Sequence, residues 1–333
     1  MNLLASLRYL VALHEHRHFG RAAQACHITQ PALSNALRAL EGELGAVIVK
    51  RGRSFAGFTP EGERVLASAR RMLHEHESLR QDLQSAALRP VGRLTLGVVP
   101  TAMPVAAHFA AGLQALHAGI VPVVRSMSSS EIESGLDDLS VDLGLGYIER
   151  LARRGARTQV WAQYTERYFL VRKASGKASS KARGKLRLGA PIAWKDAAAQ
   201  PLCLLTAEMH NRAIVDQAFK AAGASVSPAI ETNSILTLAL SALRGKVCGV
   251  LPGALVGVVG GYGELQAHPL VGPEVLTPVG FMARRGERPM RALQAALDLA
   301  QQPQWLAQAA LLSGVAQDGI PGDPAQGGGW GDV

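Results

Sequence analysis

The sequence predicts an α+β multidomain chain, a small helical head and a larger α/β body joined by one long helix. Three observations carry this. The 333 residues exceed what one core usually holds, since single cores stop growing near ~250 residues. Apolar residues recur at helical spacing through the first ninety positions, whereas from Arg93 they alternate or form continuous runs. Between these parts Val65, Ala69, Met72, His76, Leu79, Leu83 and Ala86 alternate by four and three, a heptad stripe.

In the head, Leu3, Leu7, Leu10 and Val11 mark a first helix that ends at the break His16-Arg17-His18-Phe19-Gly20. A short helix follows around Arg21 to Cys26. A third runs from about Gln30 to Leu44, with Pro31 at a permitted first-turn position and Gly45 as its stop. Val47 to Arg51 reads as a short strand, and Gly52 to Phe58 as a turn and returning strand, a small wing. Thr59 is placed to cap the next helix, Glu61 and Glu63 favour its first turn, and the heptad stripe carries it to about Leu88. A long apolar stripe with no neighbouring domain to cover it predicts pairing with a second copy.

In the body, strands are expected at Leu94–Val98, Val121–Arg125, Leu143–Tyr147, Tyr168–Arg172, Leu202–Leu205 and Val247–Leu251. Helices are expected near Val105–Leu116, Ile132–Leu139, Asn211–Ala222 and Ile235–Leu243. Alternating strand and helix argues for a largely parallel sheet, and about 210 residues of it suits two lobes. The Ser/Gly/Lys/Ala-rich stretch Ser175–Gly184 reads as a mobile loop and the glycine-rich tail after Ser313 as disordered.

Composition narrows the function. The 48% hydrophobic and 18% charged residues can fill real cores and exclude wholesale disorder. The net charge of +9 is concentrated locally, with seven basic and no acidic residues between Arg172 and Arg187, so it is a poor argument for nucleic acid by itself. That segment reads as a solvated insertion rather than a phosphate contact. The uncharged run Val247–Gly263 contains Pro252 and several glycines and cannot span a membrane as a helix. No cleavable leader pattern is expected at the N-terminus, which predicts a cytoplasmic protein.

The third helix suggests a task. Leu33, Leu37, Leu40 and Leu44 share a buried stripe, while Pro31, Asn35, Arg38 and Gly42 lie opposite with Gln30 and Ser34 on a flank. Short polar side chains and one Arg on a protruding helix suit the major groove, where Gln and Asn pair with adenine and Arg with guanine. An ordinary amphipathic helix with a solvated face explains the wheel equally well.

Four ordered motifs decide between them. His18-Phe19-Gly20-Arg21-Ala22-Ala23, Thr29-Gln30-Pro31-Ala32-Leu33-Ser34, Leu40-Glu41-x-Glu43-Leu44-Gly45 and Thr59-Pro60-Glu61-Gly62 resemble the LysR-type transcriptional regulators. The resemblance is close over residues 3 to about 88 and looser beyond. It implies a winged helix-turn-helix at 1–60, a linker and dimerisation helix at 61–90 and an effector-binding domain at 91–312. That domain is expected to resemble periplasmic binding proteins, with lobe I at about 91–162 and 266–312, lobe II at about 163–265, and a tail at 313–333. It further implies that Gln30, Pro31 and Ser34 approach bases or backbone and that Lys50, Arg51 and Arg53 touch phosphate or minor groove. Asn35 and Arg38 complete the DNA-binding set. Asn35 departs from a position that is often basic in the family, and Ile48-Val49 replaces the usual Leu-Phe. Implied partners are promoter or operator DNA carrying interrupted inverted repeats, a second copy or two pairs of copies, RNA polymerase, and a small effector. No cofactor and no membrane partner are implied.

The effector site is expected on loops that lead from strands into helix starts. Thr101 follows the first strand of the body, Ser128 and Ser129 the second, Thr206, Met209 and His210 precede a lobe II helix, and Asn233 precedes the next. Ser130 and Glu133 have capping-box spacing, which leaves Ser128 and Ser129 freer. Hydroxyls, an amide and helix starts suit a small carboxylate or similar anion.

Other functions fare less well. His14, His16, His18, His74 and His76 lack the carboxylate or thiol that would complete a metal site, so structural roles are expected. Cys26, Cys203 and Cys248 are widely spaced; a redox-responsive regulator using Cys203 and Cys248 is the alternative, against which both lie in apolar strand runs. GxSxG, HExxH, GxGxxG after a strand and GxxxxGK[ST] are all missing, so no enzyme is expected. A plain solute-binding protein is the remaining alternative, and it has no use for the head.

Overall fold

The computed structural model describes residues 2–52, 54–84, 90–153, 158–174, 187–244, 246–259, 264–285 and 289–313. The segments expected as a mobile loop and a disordered tail fall almost wholly outside these, as does Ala86 of the heptad stripe. The chain falls into two compact units, the first formed essentially by Met1–Val91 and the second by Gly92 onward.

The first unit holds α1 (Leu3–His16), α2 (Phe19–Ala25), α3 (Gln30–Leu44), the antiparallel pair β1 (Val49–Arg51) and β2 (Phe55–Phe58), and α4 (Pro60–Gln84). Leu7, Leu10 and Leu13 of α1, Leu33, Leu37 and Leu40 of α3, and Leu66 and Ala69 of α4 build one core. Its helix ends are tied as their sequences predict. Thr29 Oγ1 accepts from Ala32 N at the start of α3, and Gly45 closes that helix in the left-handed conformation. Leu44 corrects the expected stripe: it is 47% exposed, so the buried face ends at Leu40. The heptad stripe splits in the same way, Ala69 facing the core while Met72, Leu79 and Leu83 are exposed on this chain.

Glu41 explains why a carboxylate stands in the third motif. Its Oε1 accepts from the backbone N–H of Ile48 (2.9 Å) and of Val49 (3.0 Å), pinning the start of the wing to α3. Hydrogen bonds to a charged acceptor are worth about 1.5–3 kcal/mol each. Glu41→Ala is therefore expected to destabilise the head by about 2 kcal/mol or more and to speed hydrogen exchange at the Ile48 and Val49 amides. Unchanged protection of those two amides would refute the role.

The second unit runs β3 (Gly92–Val98), α5 (Met103–Leu116), β4 (Ile120–Ser126), α6 (Ser129–Asp138), β5 (Leu143–Tyr147), a 3-10 turn (Ile148–Arg153) and β6 (Thr158–Glu166). It crosses to a second sheet through β7 (Tyr168–Lys173), β8 (Arg187–Leu188), β9 (Ile192–Ala193), α7 (Trp194–Ala197), β10 (Leu202–Leu205), α8 (His210–Ala221), β11 (Ile230–Thr232), α9 (Ile235–Arg244), β12 (Cys248–Pro252), α10 (Gly253–Val259) and β13 (Leu265–Val271). It returns through β14 (Thr277–Arg284) and ends in α11 (Arg291–Ala300) and α12 (Pro303–Leu312).

Lobe I is the sheet β4-β3-β5-β14-β6, covered by α5, α11 and α12, with Phe109 packed on Phe281 and Trp305. Lobe II is the sheet β11-β10-β12-β7-β13-β8, with β9 also on β13. One face of lobe II buries Phe169, Val171, Cys203 and Leu205 against α9 and α10; the other buries Tyr168, Leu170, Leu204 and Cys248 with Trp194 and Phe219.

Two expectations need correction. The sheets are mixed rather than largely parallel, because each crossing strand enters its sheet antiparallel: β14 against β5 and β6, β7 against β12 and β13. The lobe boundaries also move, because β6 stays in the lobe I sheet to Glu166 and β13 stays in lobe II to Val271, paired with β7 as far as Pro269 and with β9 at Leu270 and Val271. The crossings are Arg167 alone and residues 272–276.

Candidate functional sites

On the head, α3 exposes Gln30, Pro31, Asn35 and Arg38 on one side, with Ser34 half-buried beside them. Arg38 Nη1 donates to Asn35 Oδ1 at 3.1 Å, so the two side chains form one polar unit across a helical turn. Lys50 is exposed on β1, while the side chain of Arg51 and all of Arg53 lie outside the described residues. Two histidines of this unit have structural tasks. His18 Nδ1 accepts from Gly20 N and Arg21 N and caps α2, and His14 stacks on Phe58. Burial, and then the charge of Arg70, lowers the His14 pKa, which keeps that ring neutral. Among the described residues no cluster of His, Cys, Asp or Glu could hold a metal.

In the second unit the two lobes share a polar floor. A cavity of about 230 Å³, open to solvent, is lined by Val99, Pro100, Thr101, Ser128, Ser129, Tyr147, Met209, His210 and Asn211. A second of about 190 Å³ adjoins it and adds Ile132, Glu133, Gly146 and Met282. Thr101 Oγ1 and Tyr147 OH are 2.8 Å apart, and Asn211 Nδ2, from lobe II, donates to Tyr147 OH (3.0 Å) and Tyr168 OH (3.3 Å). Beneath them Glu166 is fully buried, accepting from the Tyr147 and Tyr164 hydroxyls at 3.5 Å each. Burial pushes its pKa up to about 8. The Tyr147 and Tyr164 phenols are pushed up in turn, first by burial and then by the Glu166 carboxylate.

At one side Arg150 Nε donates to Glu133 Oε1 (2.8 Å), and its Nη1 lies 3.4 Å from His210 Nδ1. An Arg can only donate, so that imidazole nitrogen is the acceptor and the ring is neutral. Burial and then the Arg150 charge lower the His210 pKa accordingly.

Thr101, Ser128, Ser129, Met209 and His210 are thus brought to one cavity, with Thr101 1% exposed and held by Tyr147. Thr206 and Asn233 do not line it. Thr206 Oγ1 donates to Glu208, and Asn233 is exposed. The expected Ser130–Glu133 capping box is replaced by Ser128 and Glu131, where Ser128 N donates to Glu131 Oε2 (2.7 Å) and Glu131 N to Ser128 Oγ (3.3 Å). Ser128 is therefore spent on the helix start. Ser129 is the free hydroxyl, its Oγ shielded from solvent with no hydrogen-bond partner. At the facing helix, α8 has no side-chain cap. Sequence reasoning missed Tyr147, Asn211, Glu133, Arg150 and Glu166. A Tyr closing the apolar strand Leu143–Tyr147 and an Asn following His210 were the only local signals.

Cys203 and Cys248 occupy neighbouring strands but point to opposite faces of the lobe II sheet. They cannot join in this arrangement, and burial raises both thiol pKa values, which lowers their reactivity. No described helix is long and apolar enough to cross a membrane.

Comparison with known proteins agrees with this architecture. Residues 4–63 match the family described as "Bacterial regulatory helix-turn-helix protein, lysR family", and residues 88–304 match the "LysR substrate binding domain". The DNA-binding transcriptional dual regulator OxyR of Escherichia coli K12 is 41% identical over 101 residues, 30% of this chain and 33% of that protein. The regulator CfxR of Cupriavidus necator is 31% identical over 142 residues, 43% of this chain and 45% of that protein. The chain thus spans about a third to a half of the length of these curated relatives. A full-length OxyR variant from Pseudomonas aeruginosa superposes with a TM-score of 0.65 at 24% identity, covering 89% of this chain and 96% of that one. CbnR in complex with its target DNA does so at 0.63 and 20%, covering 92% and 99%. At these identities the likeness is one of fold. With both of its units matched in order, the chain belongs to the LysR family of bacterial helix-turn-helix regulators.

Proposed function

We propose that this protein is a sequence-specific DNA-binding transcriptional regulator whose activity is set by a small anionic effector held between its two α/β lobes. One observation carries the reading: a cleft with a shielded, unpaired hydroxyl at Ser129 and an uncapped helix start at His210 belongs to the same chain as a helix-turn-helix head. Unpaired donors in a polar cavity invite an acceptor, and a helix start favours negative charge.

In this reading residues 1–60 bind DNA, 61–90 link and dimerise, and 91–312 hold the effector. Gln30, Ser34, Asn35 and Arg38 face base edges, Pro31 sets the helix start against the backbone, and Lys50, Arg51 and Arg53 reach phosphate or minor groove. The exposed Met72, Leu79 and Leu83 of α4 support a homodimer or a tetramer built from pairs, since such a stripe buries itself on a second copy. The work is that of a cytoplasmic regulator, not of an enzyme, with RNA polymerase as a further partner.

A mobility shift with DNA flanking the protein's own gene, at controlled salt and with a panel of small carboxylates, tests the whole reading. Retardation altered by one compound supports it, and folded protein that retards no specific DNA refutes it. Ser34→Ala and Arg51→Ala are expected to weaken operator binding by about 1–3 kcal/mol without changing the fold. Lys50→Ala, like Arg51→Ala a loss of a phosphate-side cation, should also reduce the slope of log affinity against log salt by about 1. Wild-type affinity in both of the first two variants would remove that face from the DNA interface.

A further inference from the structure

A buried imidazole in lobe II has both of its ring nitrogens bonded. His268 of β13 is 4% exposed. Arg172 Nε, from β7, donates to its Nε2 at 3.2 Å, and its Nδ1 lies 2.9 Å from the Ala190 carbonyl oxygen. A guanidinium can only donate, so Nε2 is the acceptor, and Nδ1 bears the ring's hydrogen and donates to Ala190 O. Only a neutral ring can make both bonds.

The chain around Ala190 explains why a side chain is needed there. β8 and β9 lie along β13 as one strap, with Leu188 opposite Ala267 and Ile192 opposite Leu270. From 267 to 270 β13 takes three steps, while from 188 to 192 the strap takes four, so the strap has a residue to spare and bows out. Pro191, within the bow, has no N–H to give to the ladder. Gly189 N still reaches Ala267 O (2.8 Å), and the His268 ring then takes the next carbonyl. A Cβ on Gly189 would strike that ring, so glycine is what lets the strap lie this close. Downstream the strap enters α7, whose Trp194 Nε1 donates to Pro273 O in the crossing 272–276 (3.1 Å).

Protonation would undo this arrangement. An imidazolium has no lone pair for Arg172, and two cations would then face each other with little water between them. Arg172 is the charge that the described residues bring to the ring. By register Tyr168, Leu170 and Arg172 of β7 share the sheet face of His268, as does Cys248 of β12. The phenol and the thiol stay neutral, burial raising the pKa of each. α7 and α8 meet this face through Trp194, Val215, Ala218 and Phe219, none of them ionisable. β13 and residues 188–193 carry no other ionisable side chain, and Lys173 at the far end of β7 is paired with Glu264 (3.6 Å). Burial lowers the His268 pKa, the Ala190 bond offsets part of this, and the Arg172 charge lowers it further.

We propose that His268 is a proton-operated latch: the neutral ring fastens the bowed strap of residues 188–192 to β13, and the charged ring lets it go. Acid then bares the edge of β13. Because the strap and α7 are continuous, release also slackens the hold of Trp194 on the crossing between the lobes.

Hydrogen exchange on the full chain tests this, read as protection factors so that the intrinsic pH dependence of exchange drops out. From about pH 7.5 to about pH 5 the protection of the Gly189 amide, which bonds Ala267 O, is expected to fall about ten-fold or more. Amides of β10 and β12 in the same sheet should keep theirs, which separates release of the strap from unfolding of the lobe. The fall should track the ¹³C-labelled His268 ring signal, with a midpoint below the ordinary histidine value of 6.5. His268→Gln should abolish the pH dependence, whether the glutamine holds the strap shut or leaves it open. Arg172→Gln, which keeps a donor but removes the opposing charge, should move the midpoint to higher pH. Equal wild-type protection of Gly189 at both pH values, or a fall that persists in His268→Gln, would overturn the latch. If His268→Gln does not fold, the wild-type comparison and the Arg172→Gln midpoint still decide, an unmoved midpoint counting against it.

Discussion

Glu166→Gln is expected to raise the thermal unfolding midpoint above neutral pH and to remove the fall in stability that this carboxyl imposes between about pH 4.5 and 8. The native carboxyl is fully buried among Tyr147 and Tyr164 hydroxyls and holds its proton up to about pH 8, against an ordinary value of 4.5. The unfolded chain releases that proton near the ordinary value. Between the two, the native state binds more protons than the unfolded state, so the native state loses ground as pH rises. Below the window both states are protonated and the group is neutral in its effect; above it the loss is complete and constant. At about 1.4 kcal/mol per pH unit the loss across the window is several kcal/mol. Glutamine keeps the shape, stays neutral at every pH, and can still bond the phenols. Unfolding followed by circular dichroism should show a separation between variant and wild type that is small at pH 5, widens as pH rises and reaches on the order of 10 °C at pH 8, on top of the contribution that the buried histidines His14, His210 and His268 make to both curves. Parallel curves would mean that Glu166 carries its charge in the native state.

Gly62→Ala is expected to disable the head while leaving the second unit folded. Helix propensity alone predicts the opposite, since Ala is favoured over Gly by about 1 kcal/mol inside a helix. Packing decides. A Cβ on Gly62 would land on the Ile48 carbonyl and against Phe58. That carbonyl accepts from Thr59 N at 3.0 Å, the bond by which the wing meets the start of α4. Overpacking against backbone costs about 1–3 kcal/mol or more, outweighing propensity. Gly42→Ala is the contrasting case: nothing lies within 4 Å of its added Cβ on α3, so propensity acts alone and about 0.5–1 kcal/mol of stabilisation follows. Denaturant unfolding should show an earlier first transition for Gly62→Ala, with operator binding lost, and a later one for Gly42→Ala. Equal stability of the two variants would show that Gly62 is not confined as described.

These two sites also show what a sequence can and cannot disclose. Gly62 belongs to a readable motif because its neighbours work locally: Thr59 caps, Pro60 opens and Glu61 faces the helix start. The boundaries of α3 were legible for the same reason, through Thr29, Pro31 and Gly45. Glu166 was invisible, since a Glu near the end of an alternating strand is ordinarily solvated. Only the pairing of β6 with β14 and the one-residue step to β7 carry it inside. Tyr147 and Asn211 escaped likewise, being joined by a bond across 64 positions of sequence that no spacing predicts. Ser128 and Ser130 are equally plausible caps on paper. The actual start of α6 at Ser129 gave the role to Ser128 and Glu131.

The two crossings between the lobes are unequal, one being Arg167 alone and the other residues 272–276. A single residue offers two soft torsions, too little slack for one sheet to slide past the other without tearing the ladder of β6 or β7. A relative motion of the lobes would therefore be a swing about Arg167, with the longer connection as tether. Displacement then grows with distance from that fulcrum. In such a swing the residues beside it, Glu166 and Tyr168, would move least and the outer rims of the two sheets farthest.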